Sequence, residues 1–508
     1  MYGQSQGVSI IAHAPSAETA FLHFTLPGDK ILTFVVYNTR SHAKETFKPI
    51  EDGVVRMYNC GPTVYNRQHI GNFRSFLFAD VLRRWLEYIG YEVHQIMNIT
   101  DVGHLLHDAD EGEDKIEAQA RREQSDPKKI SEGYALTFLE DLKTLGFAEA
   151  ESYPRATDHI PEMLEIVQAL IKSEHAYQVD GNVYFDVSKF ERYGELSGNR
   201  IEDLEAGARI EVNAEKKHPA DFALWKSDPK HLMKWDTVFG PDGFPGWHIE
   251  CSAMARKHLG DQIDIHTGGE DNVFPHHECE IAQSEAFTGK TFASYWMHAK
   301  FLQVDGGKMS KSLGNVYTLD DIQERRYSIR ALRFCLIRGH YRQPLNFTWE
   351  ILKESQSALA KLDDLVQRLQ AGAESGGEDT TLDGTTLSKA RLKFETALND
   401  DLAMPQAIAA LFELRSAIEK EPLGKQSSEE ALAFLQRVNG VLGVLEFETE
   451  ELEDGFVADV ERLVAARTAA REGKEWAEAD RLRDELLAMG ISLEDSTAGV
   501  TWKRTASS

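Results

Sequence analysis

The sequence predicts an α/β protein in which a parallel sheet comes first and helices follow. The first observation is a β-α-β pattern. Apolar residues in Val54–Tyr58 predict a buried strand, and helical spacing of apolar residues follows over Phe73–Ile89. Residues Tyr91–Ile99 predict a second strand, and a helical crossover of this length joins parallel strands. The second observation is a wholly helical pattern after Trp349. Together they predict a sheet-based region before about residue 350 and helices beyond it.

Composition limits the classes of protein that fit. The chain has 508 residues, which predicts two to four domains, and a net charge of −27 with a pI of about 5.1. That charge gives no general basic field, so a nucleic-acid partner requires a local basic patch. No apolar run is long enough for a membrane span, and the start does not resemble a signal peptide. Only four cysteines occur, which favours a reducing compartment and a cytoplasmic location.

Composition also divides the first half of the chain. Residues 1–30 form an N-terminal appendage before the strand-like run 31–37. The charged stretch 104–126 predicts a loop that leads into a helix. The β-α pattern is interrupted over about 150–240 by a mixed segment, which predicts an inserted subdomain.

Two further breaks divide the helical half. A Gly/Ser/Thr/Asp-rich linker covers 371–388, and the short segment 450–455 precedes the last part of the chain. In that part, helical spacing predicts one apolar face from Trp476, Ala479, Leu482 and Leu486. A group of basic residues there predicts local positive charge: Arg462, Arg467, Arg471, Lys474, Arg481, Arg483, Lys503 and Arg504. Trp502 could stack on a base, although a solvated helix pair with a buried tryptophan would have the same composition.

One short loop combines a thiol with a turn suited to phosphate. Cys60 ends the first predicted strand, and the turn His69-Ile-Gly71-Asn72 begins the helix that follows. Free backbone N–H groups at a helix start favour anions, and the imidazole of His69 can donate a hydrogen bond to a phosphate oxygen. An ordinary strand-helix loop with a buried cysteine would give the same pattern.

Three separated segments carry residues that can ligate a metal. His276 and Glu280 are four residues apart, so they share one face of a helix opening near Pro275. With Cys60 and Cys251 they could supply two thiolates, an imidazole and a carboxylate, which suit Zn²⁺. The spacing is not that of a zinc finger, because no C-x-x-C occurs. Two buried cysteines beside a charged helix start are the alternative, and Cys279 could compete with Glu280.

A second loop suited to phosphate follows the strand-like run Phe301–Val304. Its sequence is Lys308-Met-Ser-Lys311-Ser, and two preceding glycines allow the loop to move. Two lysines three residues apart can surround a triphosphate and its departing pyrophosphate. The Gly-x-x-x-x-Gly-Lys frame of a Walker loop is not present.

These strings resemble a known family. His-Ile-Gly-Asn at 69–72 and Lys-Met-Ser-Lys-Ser at 308–312 resemble the paired signatures of class I aminoacyl-tRNA synthetases. The surrounding strings resemble the cysteinyl-tRNA synthetase family: Cys-Gly-Pro-Thr-Val-Tyr at 60–65, Trp-His-Ile-Glu-Cys-Ser at 247–252, Phe-Pro-His-His-Glu at 274–278 and Glu-Ile-Ala-Gln at 280–283. The resemblance extends over roughly residues 31–508.

The resemblance implies a domain order. A Rossmann-type, parallel-sheet catalytic domain is expected at 31–350, with the inserted subdomain within it at about 150–240. An α-helical bundle domain that binds tRNA is expected at 351–450. A small C-terminal domain that recognises the anticodon is expected at 456–508.

The resemblance also implies roles for individual residues. One Zn²⁺ per chain would be held by Cys60, Cys251, His276 and Glu280. ATP, with Mg²⁺, would be bound by His69, Gly71, Asn72, Asp271, Lys308 and Lys311. His69, Lys308 and Lys311 would also be catalytic. Thr63 and Trp247 would line the cysteine pocket.

The implied reaction belongs to protein biosynthesis. L-Cysteine and ATP would give cysteinyl-adenylate and pyrophosphate, and the cysteinyl group would pass to the 3′ end of tRNA-Cys. Zinc would select the substrate thiolate over the harder hydroxyl of serine, so no editing domain is needed. We expect a monomer that acts in the cytoplasm without a membrane.

The chain departs from the family pattern at three positions. Asn72 stands where the wider class has histidine, Cys279 where this family usually has asparagine, and Asn66 where many members have aspartate. Two alternatives stay open. One is a paralogous ligase that passes activated cysteine to an amino-sugar, and the C-terminal domain argues against it. The other is a non-enzymatic module that binds a nucleotide and zinc.

Overall fold

The computed structural model describes most of the chain. The described residues are 33–105, 112–199, 215–310, 313–375, 385–420, 423–447, 454–489, 491–496 and 499–504. The predicted appendage 1–30 and Lys311 lie outside them.

The described residues form sixteen strands, numbered β1 to β16 along the chain. They are Val35–Asn38, Ala43–Thr46, Val54–Asn59, Glu92–Met97, Ala176–Val179, Asn182–Phe185, Phe222–Ser227, Trp235–Thr237, Gly240–Pro245, Ile263–Gly269, Ala293–Ala299, Leu302–Val304, Gly307–Lys308, Leu345–Phe347, Ile491–Ser496 and Gly499–Arg504.

The same residues form fourteen α-helices, numbered α1 to α14. They are Ile70–Tyr88, Lys115–Glu123, Pro127–Thr144, Ile160–Lys172, Trp247–Leu259, Glu278–Thr288, Leu319–Glu324, Ile329–Ile337, Trp349–Ser375, Thr385–Asn399, Met404–Lys420, Lys425–Leu442, Asp454–Glu472 and Trp476–Ala488.

A four-stranded parallel sheet in the order β11-β10-β3-β4 forms the centre of the first half. β3 pairs with β4 in parallel from Val54↔Glu92 to Asn59↔Met97, and α1 joins them. The predicted β-α-β unit is therefore confirmed. Because the carboxyl ends of parallel strands meet at one edge, residues that follow β3, β4 and β10 come together there. The strand expected at 31–37 appears as β1 at Val35–Asn38, and it pairs antiparallel with β2, outside the parallel sheet.

The interruption expected at about 150–240 contains a second sheet. Its five strands are antiparallel in the order β5-β6-β7-β9-β8 and lie between α4 and α5. One apolar cluster extends from Tyr58 and Ile96 of the parallel sheet to Val183 and Trp225 of this second sheet. The insertion is thus packed onto the parallel sheet.

The helices after residue 349 also share a core with the parallel sheet. α9 packs against α12, and α10 packs against α11. A single apolar cluster contains Met57 of β3, Leu332 of α8, Phe394 of α10 and Leu411 of α11. A three-stranded sheet, β13-β12-β14, precedes these helices and carries the 308–312 loop.

Helices α13 and α14, with the β15-β16 hairpin, have a small core of their own. It contains Val460, Leu463, Leu482, Leu486 and Ile491. Of the predicted apolar face, Ala479, Leu482 and Leu486 are buried, whereas Trp476 is 60% exposed. The helix begins at Trp476, and a residue in its first turn has few neighbours to cover it.

The basic side chains of this segment are partly neutralised by ion pairs. Arg481 pairs with Glu478 and Glu485, and Arg483 pairs with Asp480. The local positive charge is therefore weaker than the sequence suggests. The side chain of Trp502 lies outside the described part. None of the described helices is both long and apolar enough to cross a membrane.

Candidate active site and metal centre

The four predicted metal ligands meet at the edge of the parallel sheet. Cys60 follows β3, Cys251 lies in the second turn of α5, and Glu280 lies in the first turn of α6. Cys60 Sγ is 3.9 Å from Cys251 Sγ and 3.7 Å from Glu280 Oε1. His276 Nε2 is 3.5 Å from Cys251 Sγ and 3.1 Å from Glu280 Oε1.

These distances fit a zinc ion. All four donor atoms lie within 4.8 Å of one another, and all four residues are buried. A tetrahedron with bonds of about 2.0–2.3 Å has edges of roughly 3.5 Å, which is close to the separations found here. The donor set of two thiols, an imidazole and a carboxylate also suits zinc.

The local backbone differs from the predicted helix start. Val273–His277 forms a π-helical turn with an extended residue, Phe274, inside it, and α6 begins at Glu278. His276 and Glu280 still share one face, because the chain runs helically from Pro275 into α6. The prediction that a helix opens near Pro275 is thus correct in effect, although the first turn is wider.

A ring of buried histidines surrounds this cluster. His277 Nε2 lies 3.2 Å from Cys60 Sγ, and His277 Nδ1 lies 2.8 Å from His298 Nε2. His266 Nε2 lies 2.9 Å from Glu280 Oε2, on the oxygen that does not face His276. Cys60, His266, His277 and Glu280 form a second set of donors within ligand distance. With an ion held by Cys60, Cys251, His276 and Glu280, the imidazoles of His266 and His277 would orient its ligands from outside the metal sphere.

The predicted pocket residues lie beside the metal cluster. The indole of Trp247 is stacked between two imidazoles, that of His276 at 4.0 Å and that of His104 at 4.0 Å between ring centroids. Thr63 Oγ1 lies 2.5 Å from His104 Nδ1. Trp247 and Thr63 are only partly buried, so a small molecule can reach them.

The His69–Asn72 turn caps α1. His69 Nδ1 accepts a hydrogen bond from the backbone N–H of Asn72, and Asn72 Oδ1 accepts one from the backbone N–H of His69, both at 3.2 Å. This reciprocal capping starts the helix three residues earlier than the apolar pattern predicted. It also gives Asn72 a structural role at the position where the wider class has histidine.

Met309 lies against this turn. A Cβ added to Gly71 would lie 2.3 Å from Met309 Cε, so any larger residue would require the Met309 side chain to move. The backbone N–H of Ile70 donates to Tyr317 O at 2.9 Å, and Arg67 pairs with Asp141 at 2.7 Å and with Asp320. Lys308 and Asp271 are exposed at the ends of β13 and β10, respectively. Lys311 is outside the described residues.

Comparisons with known proteins agree with this geometry. Residues 46–357 match the family described as tRNA synthetases class I (C) catalytic domain, and residues 393–446 match the DALR domain. Residues 453–502 match the cysteinyl-tRNA ligase anticodon binding domain. A cysteine–tRNA ligase of Chlorobaculum tepidum is 45% identical over 92% of this chain and 98% of its own length. One of Clostridioides difficile is 43% identical over 92% and 99%.

The chain belongs to the cysteine–tRNA ligase family. Members of this family are aminoacyl-tRNA synthetases, which are ligases. The methionyl-tRNA synthetase of Mycobacterium tuberculosis, bound by methionyl-adenylate, has the same fold with a TM-score of 0.58. It is 15% identical and covers 78% of this chain and 92% of its own, so it supports the class I fold alone.

In this cysteine–tRNA ligase family member, burial and neighbouring side chains shift the pKa of each of the four candidate ligands. Burial raises the pKa of Cys60. The hydrogen bond between Cys251 and Cys60, together with burial, raises the pKa of Cys251. Burial alone would raise the pKa of Glu280, but His266 and His276 outweigh burial and lower it to about 2. Burial alone would lower the pKa of His276, but Glu280 and Cys251 raise it to about 10. A bound divalent cation would instead favour two thiolates and a neutral imidazole.

Sequence reasoning left one ligand question open and missed several residues. Among the residues that the structure describes, Cys279 belongs to neither donor set, and its Sγ lies 3.5 Å from Tyr193 Oη. His266, His298 and His104 were missed. The available signal was a histidine within each buried strand β10 and β11, and His104 in the segment between β4 and α2.

Proposed function

We propose that this protein is a cysteine–tRNA ligase that activates L-cysteine with ATP and transfers it to tRNA-Cys. One observation carries the proposal: Cys60, which belongs to a buried cluster with Cys251, His276 and Glu280, lies on the same strand-helix connection as the His69–Asn72 turn. Few reactions require a thiol-selective site beside a phosphate site. The family membership reported above supports the same conclusion.

The metal site would serve recognition. We propose that one zinc ion is held by Cys60, Cys251, His276 and Glu280. When bound, it would take the substrate thiolate as a ligand and reject the harder hydroxyl of serine. Discrimination by ligand chemistry exceeds what pocket shape provides, so hydrolytic editing is not required.

Activation needs no side-chain base. A carboxylate oxygen of cysteine attacks the α-phosphorus of ATP, the bond to the bridging oxygen breaks, and pyrophosphate leaves. We propose that Thr63 and Trp247 position the amino acid, while His69, Lys308 and Lys311 stabilise negative charge on the phosphates. Gly71, Asn72 and Asp271 would contact the nucleotide, whose phosphates carry Mg²⁺.

Transfer uses the product of activation. A hydroxyl at the 3′ end of tRNA attacks the carbonyl carbon of cysteinyl-adenylate, and AMP leaves. The helices after residue 349 and the segment 454–504 would contact the tRNA, and the match of 453–502 to an anticodon binding domain supports this. A small amino-sugar acceptor would give such a domain no role. We expect a monomer in the cytoplasm.

Two assays test the proposal. Cysteine-dependent exchange between ATP and pyrophosphate tests activation, and its absence would refute the enzyme and favour a binding module. Charging of tRNA-Cys then separates this reading from an amino-sugar ligase.

A third test addresses the metal. Cys251→Ser should lose bound zinc and reduce exchange by at least about a hundredfold, because a thiolate ligand is replaced by a hydroxyl. Cys335→Ser is the matched control, since Cys335 is equally buried but lies in α8. Full activity of Cys251→Ser would refute the metal assignment.

A further inference from the structure

The imidazole of His104 lies between two elements of the proposed cysteine pocket. It stacks on Trp247 with ring planes 13° apart, and its Nδ1 lies 2.5 Å from Thr63 Oγ1. His104 is buried, with only 7% of its surface exposed. It belongs to neither donor set of the metal cluster. Its contacts therefore concern the wall of the pocket.

A lysine fixes the tautomer of this imidazole. Lys115 Nζ lies 2.5 Å from His104 Nε2. An ammonium group can only donate, so Nε2 must accept and the ring proton must reside on Nδ1. Nδ1–H then donates to Thr63 Oγ1. The hydroxyl of Thr63 consequently offers its own O–H as a donor to an acceptor on the bound amino acid.

The backbone holds Lys115 in place. Its N–H donates to His104 O at 3.0 Å, and Leu105 and Asp114 form a β-bridge between them. Asp114 caps α2 by accepting from the N–H groups of Ile116 and Glu117.

The first turn of α2 is also anchored to the inserted sheet. Glu117 Oε1 accepts from the N–H of Leu232 at 2.6 Å and lies 3.2 Å from His231 Nδ1. The ring of His231 in turn stacks on Phe244 of β9 at 3.9 Å. The β-bridge beside Lys115 and the contacts of Glu117 with the inserted sheet together hold Lys115 in place. Its ammonium group can therefore hold the ring of His104.

From these contacts we infer that His104, held by Lys115, is a positioning residue that sets the orientation of Thr63 and Trp247 in the amino-acid pocket. The inference rests on the proposed function, because it assigns the pocket to cysteine. It adds a specificity-determining pair from the charged stretch 104–126, for which the sequence indicated only a loop and a helix.

The test compares Michaelis constants in the exchange reaction. His104→Ala removes both the stack and the hydrogen bond and should raise KM for cysteine about tenfold or more, with KM for ATP changed less than about twofold. His104→Asn keeps an N–H donor near the place of Nδ1 and should recover part of the loss. Lys115→Met should raise KM for cysteine about three- to tenfold, because the ring is then free to present either nitrogen.

The controls are residues of the same types outside the pocket, a half-exposed histidine and an exposed lysine. His94→Asn, on β4, and Lys129→Met, in the first turn of α3, should leave both constants unchanged. Zinc content and melting temperature are measured for every variant. If His104→Ala does not fold, His104→Asn and Lys115→Met decide.

Two results would overturn the inference. One is an equal rise in both Michaelis constants, which indicates a general structural role. The other is an unchanged KM for cysteine in Lys115→Met with zinc retained. Failure of the proposed function is distinguishable, because the unsubstituted protein would then show no cysteine-dependent exchange, and the pocket assignment would fall with it.

Discussion

Asp401 joins the helical half of the protein to strand β1 and to the segment before β14. Its replacement should destabilise this junction without changing catalysis. Its side chain is fully buried between α10 and α11. Oδ1 accepts from Tyr37 N–H at 2.9 Å and from Tyr341 O–H at 2.5 Å, and Oδ2 accepts from Arg342 Nε–H at 2.6 Å. Asp401 N–H also donates to Val35 O at 2.9 Å.

Asp401→Asn should cost about 2 kcal/mol. The amide oxygen can replace Oδ1 and keep two hydrogen bonds, whereas the amide NH₂ replaces Oδ2 and faces the donor of Arg342. A charge-assisted hydrogen bond contributes about 1.5–3 kcal/mol, and the lower part of this range applies because Arg342 is 31% exposed and can turn to water. The backbone adds no cost, because φ at Asp401 is 58° and asparagine adopts this left-handed conformation readily.

Asp401→Ala should cost about 5 kcal/mol. It removes all three hydrogen bonds and leaves the N–H of Tyr37 and the O–H of Tyr341 buried without their partner, at about 1–3 kcal/mol each. Alanine also adopts φ of 58° less readily.

Neighbouring Asp400 provides the control. It is 62% exposed and pairs with Lys44 at 2.5 Å on the surface, so Asp400→Asn should cost less than about 1 kcal/mol. In thermal unfolding we expect the melting temperature to fall by about 3 °C for Asp401→Asn and about 8 °C for Asp401→Ala. Asp400→Asn should change it by about 1 °C or less, and cysteine activation at 25 °C should persist in the Asn variants. Equal shifts for the two Asn variants would refute the reasoning.

Three other predictions concern the site and the tRNA contact. Gly71→Ala should raise KM for ATP about tenfold, because the new Cβ would lie 2.3 Å from Met309 Cε, and adding Met309→Ala should recover most of the loss; an unchanged KM would contradict the contact. A chelator should lower the melting temperature by several degrees, Zn²⁺ but not Mg²⁺ should restore it, and Cys251→Ser should not respond. Trp476→Ala should weaken tRNA binding about tenfold without changing exchange, because the exposed indole can stack on a base; equal affinity of the variant would count against that contact.

The sequence predicted the parts of this fold that depend on local pattern. The β-α-β unit, the inserted segment and the helices after Trp349 follow from apolar periodicity, which neighbouring residues determine. The two phosphate loops and the four ligand candidates follow from short strings. Local pattern could identify Cys60 and Cys251 only as candidate ligands of one site. They are 191 residues apart, and their proximity depends on the order of strands in the sheet.

The missed residues depend on packing across strands. His266 of β10 reaches Glu280, and His298 of β11 reaches His277, only because β10 and β11 run parallel in a fixed register with α6 above them. In a single sequence a histidine in a buried strand looks like any core residue. The role of Asn72 was also not apparent, because reciprocal capping involves two side-chain atoms and two backbone N–H groups.

The proposed metal centre takes its shape from the sheet. Cys60 N–H donates to Thr267 O at 3.1 Å, which continues the β3-β10 ladder by one residue beyond the strand and fixes the first thiol. Glu280 is then oriented by His266 from β10, and Cys60 is contacted by His277, which is itself held by His298 from β11. Three adjacent parallel strands thus determine the separation of the donors before any ion or substrate arrives. Because the conformational entropy of these side chains is lost on folding, it is not lost again when a ligand binds among them.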